Sequence, residues 1–500
     1  MTTEDAAAVG PTPEREQHDD RSFFGHPRGL ATLFSLEVWE RFSFLGMQAI
    51  LVLYFTASVA DDGLAMEPGN AASIAAGYGT MVYLVSVGGG WIADRVLGSY
   101  RSVLWGGILI AAGHYTMAIP VEVSTWVGLV LISLGTGLLK PNVSTLVGKL
   151  YSTDDERRDA GFALYYMGIN VGAFFGPLVT GWLGAEVGWH WGFSAAAIGM
   201  TAGLIQYVVG RRGIPGYGRG AEAALPPDAA RRTRWILGGS AAAVVVILVV
   251  LALVGRLSVD GVVDALTVIA MVAPIVYFTV MFRSPRVTGE ERGRLRPFLV
   301  LWIASVAFNF VLFQAYSVLI LLAEDHVDRT IFGWDVPSSW FSSYLGAAEV
   351  LVAPLVAALW TWLGPRQPHA SKKVAFGALL GGLSYLILVP AVSGQSGDWQ
   401  IAVWWMLVSL LLLGLGDVLL QTTGLSATTK LAPAAFSSQS MAVWFLSIAL
   451  ANGIQAQTVR FYGEVPEGVY FAVNGAVPFV VAVVVLALSP WMKRTMHPVH

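Results

Sequence analysis

Apolar residues dominate the chain in fourteen segments, which polar linkers separate. Each segment supplies about 20 mostly apolar residues, the length that an α-helix needs to cross the hydrocarbon core of a bilayer. The pattern therefore predicts an all-α integral membrane protein with 14 transmembrane helices, centred near residues 44, 82, 111, 137, 172, 200, 245, 272, 310, 351, 382, 413, 449 and 479.

Lysine and arginine are concentrated in every second linker between the predicted spans. Arg95 lies between spans two and three, whereas acidic residues such as Asp61, Glu186 and Asp325 occupy the opposite linkers. Basic linkers remain on the cytoplasmic side of a membrane. We therefore expect a multi-pass protein of the inner cell membrane with both termini in the cytoplasm.

The seventh and eighth predicted spans differ from the others because they are almost purely aliphatic and have arginine-rich linkers on both sides. Removing them leaves six spans followed by six spans, an organisation typical of transporters that bind their cargo near the midplane between two halves. The predicted units are a disordered cytoplasmic tail at 1–25, a six-helix bundle at 26–212, a linker with two inserted helices at 213–296, a second six-helix bundle at 297–492 and a cytoplasmic tail at 493–500.

Composition agrees with a membrane protein and excludes several chemistries. Of the 500 residues, 55% are hydrophobic and only 13% are charged, whereas soluble domains carry about 25% charged residues. The chain has no cysteine, which excludes disulfides, thiol catalysis and cysteine-ligated metals. The net charge of −3 gives no indication of nucleic-acid binding, and we predict no nucleic-acid partner.

The first span carries three charges within "LEVWERFSFLGMQ" (36–48). Glu37, Glu40 and Arg41 share one helical face because they are three and four positions apart. A charge at the bilayer centre costs roughly 2.5–3.5 kcal/mol on insertion scales, so such residues usually face a water-filled cavity and pair with one another. This group is either a proton relay, in which a carboxylate changes its partner as it gains and loses a proton, or an ion pair that only stabilises the helix.

The segment "GGGWIADRVLGSYR" (88–101) follows the second span. It resembles the loop signature of the major facilitator superfamily, in which Asp94, Arg95 and Arg101 would form a conformational latch. Glycines permit close helix approach, and an acid can pair with a helix N-terminus or a basic group. The alternative is an ordinary tight, basic cytoplasmic loop.

Several long motifs resemble the proton-dependent oligopeptide transporters of that superfamily. "EVWERFSFLGM" is similar to the family's E-x-x-E-R-F-x-Y-Y-G-M signature. Further resemblance lies, in the expected order, in "GTGLLKPNVSTLVGKLY" (135–151), "FALYYMGINVGAFFGP" (162–177), "GLSATTKLAP" (424–433) and "MAVWFL" (441–446). The correspondence covers about residues 26–490, and the family's bacterial members also contain two inserted helices.

The resemblance implies roles for individual residues. Glu37, Glu40 and Arg41 would couple protons, and Arg41 and Lys140 would bind a substrate carboxylate. Lys140 would also pair with an acid across the cavity, where the family has a glutamate and this chain has Asp417. The remaining substrate-binding positions implied by the resemblance are Tyr83, Asn170, Gln314 and Trp444. For Lys140 the competing interpretation is snorkelling to the interface, and for Tyr83 and Trp444 it is plain packing.

The chain also departs from the family's pattern. Phe44 and Leu45 replace the paired tyrosines, and Gln48 replaces the arginine after G-M. In the ninth span, "NFVLFQAYSVL" places Phe313 where the family has a glutamate. In the family, that arginine and that glutamate are associated with an extracellular gate contact, and here both are absent.

The tenth of the fourteen spans, "FSSYLGAAEVLVAP", has Leu345 in place of a substrate-binding asparagine. Glu349 follows one turn later on the same face. We hypothesise that Glu349 restores to the C-terminal half the acid lost at Phe313 and takes part in proton coupling. The alternative is that Glu349 is simply bonded to a neighbouring helix.

These features predict a proton-coupled symporter that imports di- and tripeptides by alternating access between two open states. The alternative cargo is another peptide-like or amine- or carboxylate-bearing metabolite, which the departures at the substrate wall favour. Protons are the expected coupling ion, with no metal or organic cofactor, and we expect the protein to function as a monomer in the lipid bilayer.

An integral-membrane enzyme is not predicted, because the histidines are scattered and His114 stands alone in an apolar helix. A receptor of the same fold that transports nothing is a second alternative, although a sensor has no need of the Glu37–Arg41 group.

Overall fold

The computed structural model describes residues 20–152, 157–215, 258–395 and 399–496, together with Asp155 and scattered positions between 217 and 250. The first part of the chain forms six long helices. They are α1 (Arg28–Thr56), α2 (Pro68–Ile92), α3 (Ser99–Met117), α4 (Glu122–Lys149), α5 (Arg158–Glu186) and α6 (Trp189–Val209).

The second part begins with one inserted helix and continues with eight more. They are α7 (Val259–Arg283), α8 (Gly289–Leu312), α9 (Val318–His326), α10 (Trp340–Leu363), α11 (Ala370–Leu386), α12 (Val389–Val392), α13 (Val403–Leu431), α14 (Ser437–Thr458) and α15 (Glu467–Met496). Four two-residue strands lie in the connections, namely β1 (Val327–Asp328), β2 (Thr330–Ile331), β3 (Trp334–Asp335) and β4 (Ile401–Ala402). β1 pairs in parallel with β4, and β2 pairs antiparallel with β3.

Local signals explain several of the helix starts. Pro68 begins α2, where the missing backbone N–H is not needed for helix bonding. The Ser258 hydroxyl caps α7 by accepting from the Gly261 N–H. Thr288 and Glu291 form a reciprocal capping box at the start of α8.

The predicted spans coincide with helices throughout the described part of the chain. Eleven of the described helices are long and apolar enough to cross a membrane. The two other predicted spans in this part are α1 and α3, of 29 and 19 residues. α1 falls short in apolarity because it carries Glu37, Glu40 and Arg41. The predicted span near residue 245 and most of the two terminal tails lie outside the described residues.

The helices form two halves, α1–α6 and α8–α15, that meet where α5 packs on α10 and α2 packs on α14. We call the side of the bundle with the start of α1 and the end of α15 the terminal face, and the opposite side the distal face. Contacts between the halves lie toward the distal face. There the Trp340 indole N–H donates to the Leu178 carbonyl at 3.1 Å, and Arg460 Nε donates to the Ser73 hydroxyl at 3.1 Å.

Toward the terminal face, the exposure of Tyr166 indicates a cavity between the halves. Tyr166, in the half of α5 nearer that face, is 45% exposed. Its side chain lies near Glu37 of the first half and Asp417 of the second. Among the described residues, the side-chain hydrogen bonds between the halves thus lie toward the distal face, and the exposed Tyr166 lies toward the terminal face.

Candidate functional site

The three charges of α1 form one buried cluster. Glu37, Glu40 and Arg41 are 3%, 0% and 5% exposed. Arg41 binds Glu40 with two guanidinium nitrogens; Nη2 donates to Oε1 at 2.6 Å, and Nε donates to the other carboxylate oxygen. Arg41 Nε also lies 3.5 Å from Glu37 Oε1. The helical spacing expected from the sequence therefore brings all three groups together.

A glycine stripe on α5 lets that helix approach this cluster. Gly168, Gly172 and Gly176 face α1, and a Cβ on Gly172 would lie only 2.4 Å from the Val38 carbonyl oxygen. Small residues at such spacing allow two membrane helices to pack with their backbones close together. The approach places the Tyr165 hydroxyl where it donates to Glu37 Oε2 at 2.8 Å.

Lys140 lies inside the bundle and does not extend to the interface. Its ammonium donates to the Tyr83 hydroxyl at 3.2 Å and lies 4.6 Å from the centre of the Tyr83 ring. The Tyr83 ring makes an edge contact with Phe313 at 5.8 Å. Phe313 thus places an aromatic wall beside the Lys140–Tyr83 pair, at the position where the family has a glutamate.

The C-terminal half contributes two acids on facing helices, Glu349 of α10 and Asp417 of α13. Both side chains are partly buried, and their carboxyl groups interact electrostatically with each other. Gln421, one turn after Asp417 on α13, donates its amide to Asn309 Oδ1 at 3.0 Å, and Asp417 Oδ1 has no hydrogen-bond partner among the described residues. Within the described part of the chain the expected ion pair between Lys140 and Asp417 is not formed, because Lys140 contacts Tyr83 instead.

The other predicted substrate-binding residues are less accessible from the cavity. Gln314 is 0% exposed, and its amide bonds Asn474 at 3.2 Å and Tyr470 at 2.8 Å. Trp444 is 1% exposed and packs so closely on α13 that a Cβ on Gly424 would lie 2.2 Å from its ring. Asn170, by contrast, is partly exposed and lies one turn after Tyr166 on α5.

The predicted latch residues lie at the terminal face. Asp94 and Arg95 belong to a π-helical turn, Ala93–Leu97, that extends α2. Gly98 follows with φ +83°, a conformation that favours glycine. Asp94, Arg95 and Arg101 are exposed, and none of them has an ion pair within the described parts of the chain.

The sequence interpretation missed three tyrosines beside the charged groups. Tyr165 bonds Glu37, Tyr166 borders the cavity, and Tyr316 lies near Glu349 and Asp417 at the end of a 3₁₀ segment, Phe313–Tyr316. A tyrosine next to a motif is a weak signal in a chain with 16 of them. Only the packing of α5 against α1 distinguishes Tyr165 from its neighbour.

Comparison with known proteins identifies the family of this chain. The model of the POT family matches residues 100–473, well over half of the chain. The chain belongs to the POT family. The di-/tripeptide transporter of Lactococcus lactis subsp. cremoris is 38% identical over 95% of this chain and 98% of its own length. The match confirms the resemblance stated for the motifs.

Two solved structures of POT transporters have the same architecture. A peptide transporter POT in complex with sulfate has a TM-score of 0.92 and 40% identity, covering 97% of this chain and 100% of its own. A POT family transporter in complex with 5-aminolevulinic acid has a TM-score of 0.90 and 36% identity, covering 95% and 98%. The predicted all-α membrane architecture of the major facilitator type and the transporter class are therefore confirmed.

Proposed function

We propose that the protein is a proton-coupled symporter that imports di- and tripeptides by alternating access. The observation that carries this proposal is the buried cluster of Glu37, Glu40 and Arg41, adjoining a cavity between two helical halves. Buried charges at membrane depth mark ion and substrate pathways. The relationship to a di-/tripeptide transporter of Lactococcus lactis supports the choice of cargo.

In this mechanism, protons reach the cavity through Glu37 and Glu40, while Arg41 changes its carboxylate partner. Lys140 and Arg41 bind the substrate carboxylate, and Asp417, with Glu349 beside it, binds the ammonium. Tyr83 and Asn170 hydrogen-bond the peptide backbone, and Gln314 and Trp444 complete the set of substrate-binding residues. Inward proton movement supplies about 2.3 kcal/mol per charge per 100 mV of membrane potential.

In alternating access, the terminal face and the distal face of the bundle open in turn. We assign the terminal face to the cytoplasm of a cell with an inner membrane, on the basis of the alternation of basic and acidic linkers. On this assignment the structure represents the inward-open state. Asp94, Arg95 and Arg101 are exposed in it and would form the conformational latch when the terminal face closes. A ligand shifts such an equilibrium only if it binds the two states differently. A substrate that bridges the two halves does this.

In this proposal the protein is a carrier that works as a monomer and has no enzymatic activity. Protons are its coupling ion, and no cofactor is involved. The described residues contain no group of His, Cys, Asp and Glu that would hold a metal ion.

A second candidate cargo is a smaller metabolite with an amine and a carboxylate. Phe44 and Leu45 remove two hydroxyls from the substrate wall, which weakens the case for a peptide backbone between the two charged ends. A related POT transporter was solved with 5-aminolevulinic acid, a compound of this class.

Uptake by proteoliposomes with an imposed inward proton gradient tests both candidates. We expect a labelled dipeptide to accumulate inside above its external concentration, and accumulation to stop when a protonophore collapses the gradient. Competition by unlabelled dipeptides, tripeptides and amino-carboxylate metabolites then ranks the cargo. Equal uptake with and without the gradient would contradict proton coupling, and stronger competition by the metabolites would establish the second candidate.

A further inference from the structure

The two acids of α1 have unequal hydrogen-bond partners. Glu40 receives two guanidinium nitrogens of Arg41. Glu37 has only a 3.5 Å contact with the same side chain through Oε1, and its Oε2 accepts from the neutral Tyr165 hydroxyl at 2.8 Å. The carboxylate with the weaker partners is the easier one to protonate, because a hydrogen bond from a charged donor is roughly twice as strong as one from a neutral donor.

We propose that Tyr165 is a positioning residue that sets the pH at which Glu37 exchanges its proton. This proposal deepens the proton coupling proposed above and depends on it. The titratable and charged groups that act on Glu37 are Glu40 and Arg41 on α1, Lys140 on α4, and Tyr165 and Tyr166 on α5. Of these, Tyr165 alone donates a close hydrogen bond to the Glu37 carboxylate within the described residues.

The geometry leaves Tyr165 little freedom. Tyr165 is 5% exposed, and the glycine stripe at Gly168, Gly172 and Gly176 fixes the distance between α5 and α1. A hydroxyl held in this way stabilises the ionised carboxylate and favours release of its proton. Loss of that hydroxyl therefore makes protonation easier at higher pH.

The test is Tyr165→Phe, assayed as dipeptide uptake by proteoliposomes over a range of external pH. We expect half-maximal uptake to move to higher pH by about one unit, since a hydrogen bond of this type is equivalent to about a tenfold change in proton affinity. The matched control is Tyr207→Phe. Tyr207 is fully buried and its hydroxyl donates to the Tyr100 carbonyl at 3.2 Å, away from the charged cluster.

An unshifted pH profile in Tyr165→Phe, or an equal shift in both variants, would overturn the role of Tyr165. A wild-type protein whose uptake does not depend on the proton gradient would instead overturn the proposed function, so the two failures are distinguishable.

The inserted helix α7 carries an independent inference, because it packs against both halves. It contacts α2 of the first half and α14 of the second. A Cβ on Gly77 of α2 would lie 2.7 Å from Val263, and the Thr267 hydroxyl donates to the Gly453 carbonyl of α14 at 3.1 Å. One inserted helix thus bridges the seam between the halves.

Several other polar contacts of this seam meet at Arg460, just beyond α14. Arg460 Nη2 lies 2.9 Å from Asp264 Oδ1 and 3.7 Å from Asp260 Oδ1, both on α7. Its Nε donates to the Ser73 hydroxyl of α2 at 3.1 Å. One guanidinium therefore joins the first half, the second half and the inserted helix at the distal face.

We infer that Arg460, Asp260, Asp264 and Ser73 form a clasp through which the inserted helix holds the distal face closed. The Asp260 and Asp264 side chains are 59% and 53% exposed, so each ion pair is weak. Contacts of this strength bias a conformational equilibrium without locking it, as a carrier that alternates between two states requires.

A single introduced cysteine reports on the distal seam, because the natural chain has none. Ser339→Cys suits this purpose, since Ser339 is 1% exposed and abuts Gly181 of α5. In purified protein with this reporter, we expect Arg460→Gln to speed maleimide labelling roughly 2- to 5-fold, because the two ion pairs that are lost are exposed and weak.

The matched control is Arg329→Gln, because Arg329 lies in the connection after α9 and pairs with Glu324 at 3.1 Å within one half. Unchanged labelling in Arg460→Gln, or an equal increase in both variants, would overturn the clasp. The assay does not depend on transport, so its result is independent of the identity of the cargo.

Discussion

The charged groups beside the cavity have different partners in the two halves of the bundle. In the N-terminal half, Arg41 bonds Glu40 with two nitrogens and lies 3.5 Å from Glu37, and Lys140 bonds the Tyr83 hydroxyl. In the C-terminal half, Glu349 and Asp417 have each other as electrostatic neighbours and no ion pair within the described residues.

The difference indicates that the two halves have different roles in transport. The N-terminal half holds two acids and two bases, so a proton can enter there when Arg41 changes partners. The C-terminal half holds two acids and, among the described residues, no base beside them, and ionising an acid that is removed from water without a counterion is costly. A cation from outside the protein, such as a substrate ammonium or a proton, relieves that cost. The first half is thus suited to coupling and the second to selecting an amine-bearing cargo.

The largest effect is expected for Glu40→Gln, which breaks the N-terminal cluster. Arg41 loses its bidentate partner and the proton route loses one of its two carboxylates, so we expect gradient-driven accumulation of dipeptide to fall at least about 100-fold, equivalent to about 2.7 kcal/mol. Exchange of labelled for unlabelled dipeptide across the membrane, which needs no net proton movement, should persist. The control is Glu290→Gln, whose exposed carboxylate pairs with Arg294 outside the cavity. Retained accumulation in Glu40→Gln would place the coupling elsewhere.

The next effect is expected for Lys140→Met, which removes the ammonium from the wall of the N-terminal half while keeping a long side chain. The KM for dipeptide should rise about 10- to 100-fold, equivalent to losing a charge-assisted hydrogen bond of about 1.5–3 kcal/mol. Lys372→Met, at an exposed lysine near the start of α11, serves as the control. An unchanged KM would assign the carboxylate to another group.

A smaller effect is expected for Asp417→Asn, which removes one of the two acids of the C-terminal half. The KM for dipeptide should rise about tenfold, since Glu349 still attracts the ammonium. Asp417→Glu keeps the charge and should stay near the wild-type KM. If Asp417→Asn raises KM no more than Asp417→Glu does, the C-terminal half does not select the amine by charge.

The smallest effect is expected for Glu349→Gln, which tests whether this acid stands in for the one absent at Phe313. Gradient-driven accumulation should fall about 3- to 10-fold, because one of two interacting acids remains. Adding Phe313→Glu to this variant should restore part of the loss. Unchanged coupling in Glu349→Gln would favour the alternative that Glu349 is only a structural contact.

The architecture could be predicted from the sequence because the bilayer imposes it. Each crossing requires an apolar segment of nearly fixed length, and every predicted centre in the described part of the chain falls in a helix. The Glu37–Arg41 cluster could also be predicted from the sequence, because spacing along one helix decides which side chains share a face.

The contacts between helices could not be predicted in this way. The hydrogen bond from Tyr165 to Glu37 depends on the glycine stripe of α5, and the Lys140–Tyr83 contact depends on how α4 packs on α2. The motif predicts that Gln314 binds substrate in the cavity, but in the structure its amide is bonded to Asn474 and Tyr470 within the C-terminal half. Periodicity along one helix carries no information about the partner that a second helix presents.

Proton influx measured together with dipeptide uptake tests the central claim most directly. Proteoliposomes containing a trapped pH dye should acidify inside when dipeptide is added outside, and Glu40→Gln should abolish this acidification while exchange continues. Dipeptide uptake by the wild-type protein without internal acidification, or full acidification in Glu40→Gln, would contradict the assignment of proton coupling to the charged cluster of α1.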